Sequence, residues 1–177
     1  MRDIANRHKG LPERTPEMLF QIVDKFTRGA LHHYEVIEEK KDELLYAYEE
    51  RATAGGEEAL LDALTVLFWE FHFYVTCWLQ VELALYRLLR VEATPEIQAG
   101  LREVFGQYRT QIERHVHVRR VIDSTREAVE AQFAHFGPEL DCVVKDQYWF
   151  DGVYFTVDEA SVDTLRQLHQ AIMRWKF

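Results

Sequence analysis

Cysteine is scarce: Cys77 and Cys142 are the only two in 177 residues. Neither has a partner at metal-ligand spacing, so no disulfide scaffold or zinc site is expected, and both read as buried free thiols in a reducing compartment. The chain also lacks a Gly-rich phosphate loop, a Gly-x-Ser-x-Gly elbow, a His-Glu-x-x-His helix and the paired Glu-x-x-His of di-iron bundles. Nucleotide-fold, hydrolase, zincin and di-iron readings therefore have nothing to stand on. Positive charge is short as well, 21 Lys and Arg against 30 Asp and Glu for a net −9, which argues against general adhesion to nucleic acid or to an anionic membrane. No apolar run follows the charges of residues 1–10, so no secretory signal is expected and the chain reads as cytoplasmic. The most apolar region, residues 60–89, is interrupted by Asp62, Glu70, His72, Gln80, Glu82 and Arg87. Those groups are costly in lipid, which makes it a core helix and not a membrane span.

What is present is enough apolar material, 47% of residues, for one core of its own. We expect an N-terminal arm over residues 1–14 and a single helical domain over 15–177. Thr15-Pro16-Glu17 and Thr94-Pro95-Glu96 are two copies of one helix start: a hydroxyl cap, proline at the first helical position and an acid near the positive end of the helix dipole. After the first, Leu19, Ile22, Phe26, Ala30, Tyr34, Ile37, Leu44 and Tyr48 recur at helical spacing until Gly55-Gly56. A second helix over about 58–91 is apolar nearly all round and should be central. A third carries Leu101, Phe105, Tyr108, Ile112, His115, Ile122, Val129, Phe133 and Phe136 up to Gly137-Pro138. The connections between the three are short, so consecutive helices should be antiparallel, each about 50–60 Å long if unbroken. Helices of that length should bend, with Gly29, Gly100 and Gly106 as the candidate positions.

The pattern then changes. Residues 142–150 and 153–156 are β-prone and joined by Asp151-Gly152, a strong hairpin signal. Thr156-Val-Asp-Glu159 can form a capping box before a last helix bearing Val162, Leu165, Leu168, Ile172 and Trp175. The expected fold is mainly α: a four-helix up-down bundle with long helices and a small β-hairpin before the last helix.

The densest chemistry lies in residues 109–120, where four arginines and two histidines stand against one glutamate in an otherwise acidic chain. A guanidinium can hold a phosphate bidentately and an imidazole can exchange a proton near neutral pH, so Arg109 with His115 is a minimal set for metal-independent phosphodiester cleavage. On a regular helix the two point about 120° apart. Convergence therefore calls for a local distortion or for a second copy of the helix alongside. The plainer reading pairs Arg109 with Glu113 and places His115 at the core edge. Glu113, Arg114 and His117 can meet on one helical surface, where the carboxylate would fix the imidazole tautomer. Arg114, Arg119 and Arg120 can contact phosphate, or pair with the acidic face Glu35, Glu38, Glu39, Asp42 and Glu43 of the first helix. His32, His33 and His72, with His115 or His117 and assisted by Glu35 or Glu70, form the one candidate metal set. The aromatic segment 148–150 with Tyr154 and Phe155 can stack RNA bases, make an oligomer contact or cover the core.

This order of features, long helices with Arg109-Thr-Gln-Ile-Glu-Arg-His115 near the middle of the third and a short final helix after an insert, resembles the HEPN superfamily of helical bundles. The resemblance spans about residues 16–175. Members with ribonuclease activity carry an Asn, Asp or His after the arginine, where this chain has Thr110. The resemblance implies a homodimer whose two motifs form one composite endoribonuclease site without metal or other cofactor, often in a toxin or defence role. Arg109 would orient phosphate and stabilise the transition state, and His115 would act as general acid or base on the 2′-hydroxyl or leaving oxygen. Thr110, Glu113, Arg114, His117, Arg119 and Arg120 would support them or hold phosphate. RNA or a cognate protein would be the partner. Two other classes compete: a non-catalytic bundle that self-associates or binds a partner, and a His-based metal-binding bundle.

Overall fold

The computed structural model describes residues 14–177, so the expected arm over 1–14 lies outside the described residues except for Arg14. Among them are six helices and one hairpin: α1 (Pro16–Glu49), α2 (Gly56–Leu88), α3 (Pro95–Val121), α4 (Thr125–Phe136), the single turn α5 (Cys142–Lys145), β1 (Tyr148–Phe150), β2 (Val153–Phe155) and α6 (Glu159–Met173). The fold is mainly helical, with the antiparallel hairpin before the last helix.

Both Thr-Pro-Glu starts work as read. The Thr15 hydroxyl accepts from Met18 N at 3.2 Å and Thr94 from Ile97 N at 3.4 Å, satisfying amides that the first helical turn leaves free. The expected third helix is two. The chain leaves the helix at Ile122–Ser124, and Ser124 restarts it by accepting from Glu127 N. Gly29, Gly100 and Gly106, the expected bend positions, lie inside continuous helix. Cys142–Val143, expected in a strand, forms the helical turn α5 instead. Asp146 then turns the chain with φ 48°, its carboxylate holding Lys41 Nζ at 2.7 Å and Thr156 Oγ1 at 2.8 Å. At the hairpin, Asp151 and Gly152 both take positive φ, 40° and 88°, the geometry whose twist matches paired strands. The last helix is capped by Asp158, which accepts from Ser161 N at 2.8 Å, two residues later than the Thr156 expected for that role.

The pairs α1/α2, α2/α3 and α3/α6 run in opposite directions. Gly29 meets Cys77 and His33 meets Glu70 across α1 and α2. Gln98 reaches the Leu88 carbonyl and His115 stacks on Trp78 across α2 and α3. Ser161 meets His115 and Trp175 meets Gly100 across α3 and α6, and His169 reaches Asp24 on α1. Helix α2 touches α1, α3 and α4 and buries Leu64, Leu67, Phe68, Phe71, Tyr74, Val75, Trp78 and Leu85 completely, which makes it the central element that its apolar composition indicated. The hairpin covers one part of this core: Tyr148, Phe150 and Phe155 are buried against Phe68 and Phe71 at ring separations of 5.3–6.5 Å.

The close contact between α3 and the segment just after α6 depends on Gly100, because a Cβ there would lie 2.1 Å from the Trp175 indole. Gly100→Ala must displace that ring and is expected to destabilise the chain by about 1–3 kcal/mol, measured as a lower urea midpoint. Coupling to Trp175→Ala checks the cause: the double variant should lose no more than Trp175→Ala alone, and simple additivity would refute the packing argument.

Candidate functional site

Helix α3 separates the residues that the sequence grouped. Arg109, Thr110, Glu113, Arg114 and Arg120 are solvent-exposed, whereas His115 is buried at 2%. Arg109 Nε bonds Glu113 Oε1 at 2.7 Å, four residues on, and this pair holds the guanidinium along its own helix. Glu113 is thereby engaged with Arg109 and not with His117. His117, half-buried, donates from Nε2 to the carbonyls of Phe150 and Asp151 at 3.2 and 3.1 Å and so pins the hairpin turn. Arg114 donates to the Tyr154 carbonyl and lies 5.9 Å from the Phe155 ring centroid. Arg119 bonds Asp123 in the α3–α4 connection at 3.3 Å. The expected pairing of these arginines with the acidic face of α1 gives way to such local contacts, while Glu38 and Glu43 take Lys41 and Lys40 of their own helix.

His115 is the centre of a fixed hydrogen-bond chain. Its ring lies flat on Trp78, centroids 3.9 Å apart, with Tyr74 and Phe155 around it. Nδ1 is 2.7 Å from the Gln111 carbonyl, which can only accept, so Nδ1 carries the proton. Burial pushes the imidazole pKa down to about 4; the Gln111 bond opposes this, and the nearby Arg114 charge adds to it. The ring is therefore neutral at pH 7 and Nε2 is an acceptor. The Ser161 hydroxyl, 2.9 Å away, must give Nε2 its single proton, and the Tyr74 hydroxyl, 2.8 Å from Ser161 Oγ, must donate to that oxygen. Burial raises the Tyr74 phenol to about 12, which keeps it a donor. Ser161, absent from the sequence reading, sits in the first turn of α6 because Asp158 caps it. A cleft of about 150 Å³ between α3, β2 and α6 opens onto His115, Ser161 and Arg114.

The candidate metal set does not assemble. His33 Nδ1 meets Glu70 at 2.8 Å and its ring stacks on Phe73, His115 faces the core and His117 faces the hairpin. Among the described residues no three His, Cys, Asp or Glu side chains stand where they could share an ion. Cys77 and Cys142 are buried and free, their thiols raised by burial to about 11 and about 12.

Another surface emerges on α2. Leu61, Trp69 and Phe73 are 44%, 52% and 51% exposed, and with Thr65 they form a row spaced four residues apart that Thr76 continues. The Thr65 and Thr76 hydroxyls each donate to the carbonyl four residues back at 2.7 Å, which turns their polar ends toward their own helix and leaves methyl groups on the stripe. Helix α2 is long and apolar enough, by length and composition, to cross a membrane, and 44% of its most apolar stretch is buried in the fold. Of the aromatic hairpin residues, only Trp149 and Tyr154 reach outward, and His135 stacks on Trp149 at 4.1 Å. No family model, curated protein or solved structure matches the chain.

Proposed function

We propose that this chain is a helical interaction protein in which α1, α2, α3 and α6 form a four-helix up-down bundle that self-associates through the outer face of α2. The observation that carries the reading is the row of exposed Leu61, Trp69 and Phe73, with half-buried Thr65 between them. Large apolar side chains four apart make a ridge, and two such ridges related by a twofold axis interdigitate as equivalent surfaces. Trp and Phe are the side chains that dominate interface energetics. A chain at net −9 gains nothing from long-range attraction between its own copies, so an apolar contact is the kind that fits, and added salt should strengthen it by screening the repulsion.

Light scattering across a concentration series tests this. Wild type should be a dimer, and Trp69→Ala should weaken it by about 30-fold in Kd, the equivalent of about 2 kcal/mol for a contact residue of this kind. Trp69→Glu with Phe73→Glu should be monomeric with unchanged helical circular dichroism. A monomeric wild type, or partitioning of the wild type into lipid vesicles, would overturn the reading.

The HEPN-like ribonuclease is the second reading, supported by Arg109, Arg114 and Arg120 lying exposed on one helix. It requires an imidazole beside them at the surface, and the His115 ring is buried with both nitrogens engaged. RNA cleavage that disappears in Arg109→Ala, with dimerisation intact, would restore it.

A further inference from the structure

The cleft beside His115 brings a hydroxyl nucleophile and a neutral imidazole together. We infer that Ser161 is a nucleophile with His115 as its general base, in a site that takes small carboxylic esters. The proton arrangement is already set for that step. Nδ1–H is held by the Gln111 carbonyl, Nε2 presents a lone pair, and the only proton on Ser161 points at it over 2.9 Å. Three groups thus do what a nucleophile, a base and an orienting acceptor must do, with a main-chain carbonyl in the third role. Tyr74 donates to the same oxygen at 2.8 Å and positions it.

The reacting carbon has room on the open side. Ser161 is half-exposed and the cleft holds about 150 Å³, a volume that accepts a benzene-sized molecule and excludes long acyl chains. Arg114 is the one cation among the residues lining it. Its guanidinium, fixed by the Tyr154 carbonyl, can face the negative oxygen that develops on the acyl carbon. In the step itself, Ser161 Oγ bonds to the ester carbon as its proton passes to Nε2. The carbon–oxygen bond to the alcohol then breaks and that alcohol takes the proton from Nε2. Water, activated by the same nitrogen, cleaves the acyl-serine and restores the hydroxyl. No redox partner is involved.

The groups facing His115 also set its pH range. Arg114 on its own helix disfavours the charged ring, Asp158 at the start of α6 favours it, and Tyr74 on α2 is neutral. The imidazole therefore stays unprotonated from pH 8 down to pH 6, where an ordinary histidine would already be about three-quarters protonated.

Diisopropyl fluorophosphate, with isopropyl groups near the size limit of the cleft, and its smaller dimethyl analogue are the probes, read by intact and peptide mass on the full chain. Expected is one adduct per chain on Ser161, formed with loss of fluoride. Its rate should be flat between pH 6 and 8, and Ser161→Ala should lose the adduct altogether. Ser161 is a half-exposed position in the first turn of α6, and its replacement should leave the helical signal intact. 4-Nitrophenyl acetate should give a burst of one equivalent, lost in Ser161→Ala. No adduct with either reagent, an adduct elsewhere, or a labelling rate that climbs tenfold per pH unit as for an unassisted serine would each overturn the inference. None of these outcomes touches the association through α2.

Discussion

Lowering the pH from 6.5 to 4 is expected to remove about 3 kcal/mol of folding stability through one residue, His115. The folded chain holds this imidazole at 2% exposure with a pKa of about 4, chiefly because burial disfavours its charged form. Unfolded, the same ring titrates near 6.5. Between those two values the unfolded state takes up a proton that the folded state refuses, so the equilibrium shifts toward unfolding as the pH drops. More than about a unit above pH 6.5 both states are neutral there and the residue contributes no slope. Glu82, whose carboxyl is raised by burial, acts in the opposite direction, since it gains a proton more readily when folded. The comparison that isolates His115 is wild type against His115→Gln, which keeps an amide donor and an acceptor but no titration. Urea midpoints at pH 7 and pH 4.5 should fall much more steeply for wild type. Parallel slopes in the two proteins would refute the buried-neutral assignment.

The helical part of this fold was legible because its signals are local. Thr15-Pro16 and Thr94-Pro95 encode caps within four residues, and Asp151-Gly152 encodes a turn within two. The break at residues 122–124 was equally local, since Ser124-Thr-Arg-Glu127 is a capping signal. The apolar period runs on through Ile122 and Val129 and conceals it. The α5 turn is a different case. Cys142-Val-Val favours a strand by composition, but four residues carry too little propensity to decide their own state. Asp146 decides it, through bonds to Lys41 from α1 and Thr156 from the far side of the hairpin, and sequence spacing contains neither contact.

At the candidate site, the residue types were readable and their company was not. The spacing of Arg109 and Glu113 announces their pair, and the place of His115 in the apolar series announces its burial. The partner that gives His115 chemistry, Ser161, is 46 residues away, delivered by the return of α6 along α3. A charge-rich stretch draws attention to α3, whereas the serine stands in an ordinary helix start. The exposed face of α2 was hidden for the opposite reason: a helix apolar on every side reads as core throughout, and only the arrangement of its neighbours shows which stripe they leave uncovered.

Replacing Gln132 should be among the most damaging single changes in the chain, at about 2–4 kcal/mol for Gln132→Leu. The side chain is fully buried on α4. Its Oε1 accepts from Trp149 N at 2.8 Å, and its Nε2 donates to Trp149 O at 2.7 Å and to Ala128 O at 3.0 Å. Gln132 thus offers the outer edge of β1 the donor and acceptor that a third strand would supply. A two-stranded hairpin is marginal alone, so this amide is what couples its free edge to the helices. Leucine fills the same volume but leaves the part-buried Trp149 N–H and C=O without their partners beside the fully buried residue 132 side chain, and each orphaned group carries a desolvation penalty. Gln132→Glu retains the acceptor, loses the donor and buries a carboxylate, so it should be worse than leucine at pH 7 and recover part of the difference as the pH is lowered and the acid is protonated. Chemical denaturation checks the order wild type, leucine, glutamate at pH 7. Hydrogen exchange should show the Trp149 amide losing protection in the leucine variant while α1 and α2 keep theirs. Equal stability of leucine and wild type would mean that the core contacts of Tyr148, Phe150 and Phe155 hold the hairpin without help from its edge.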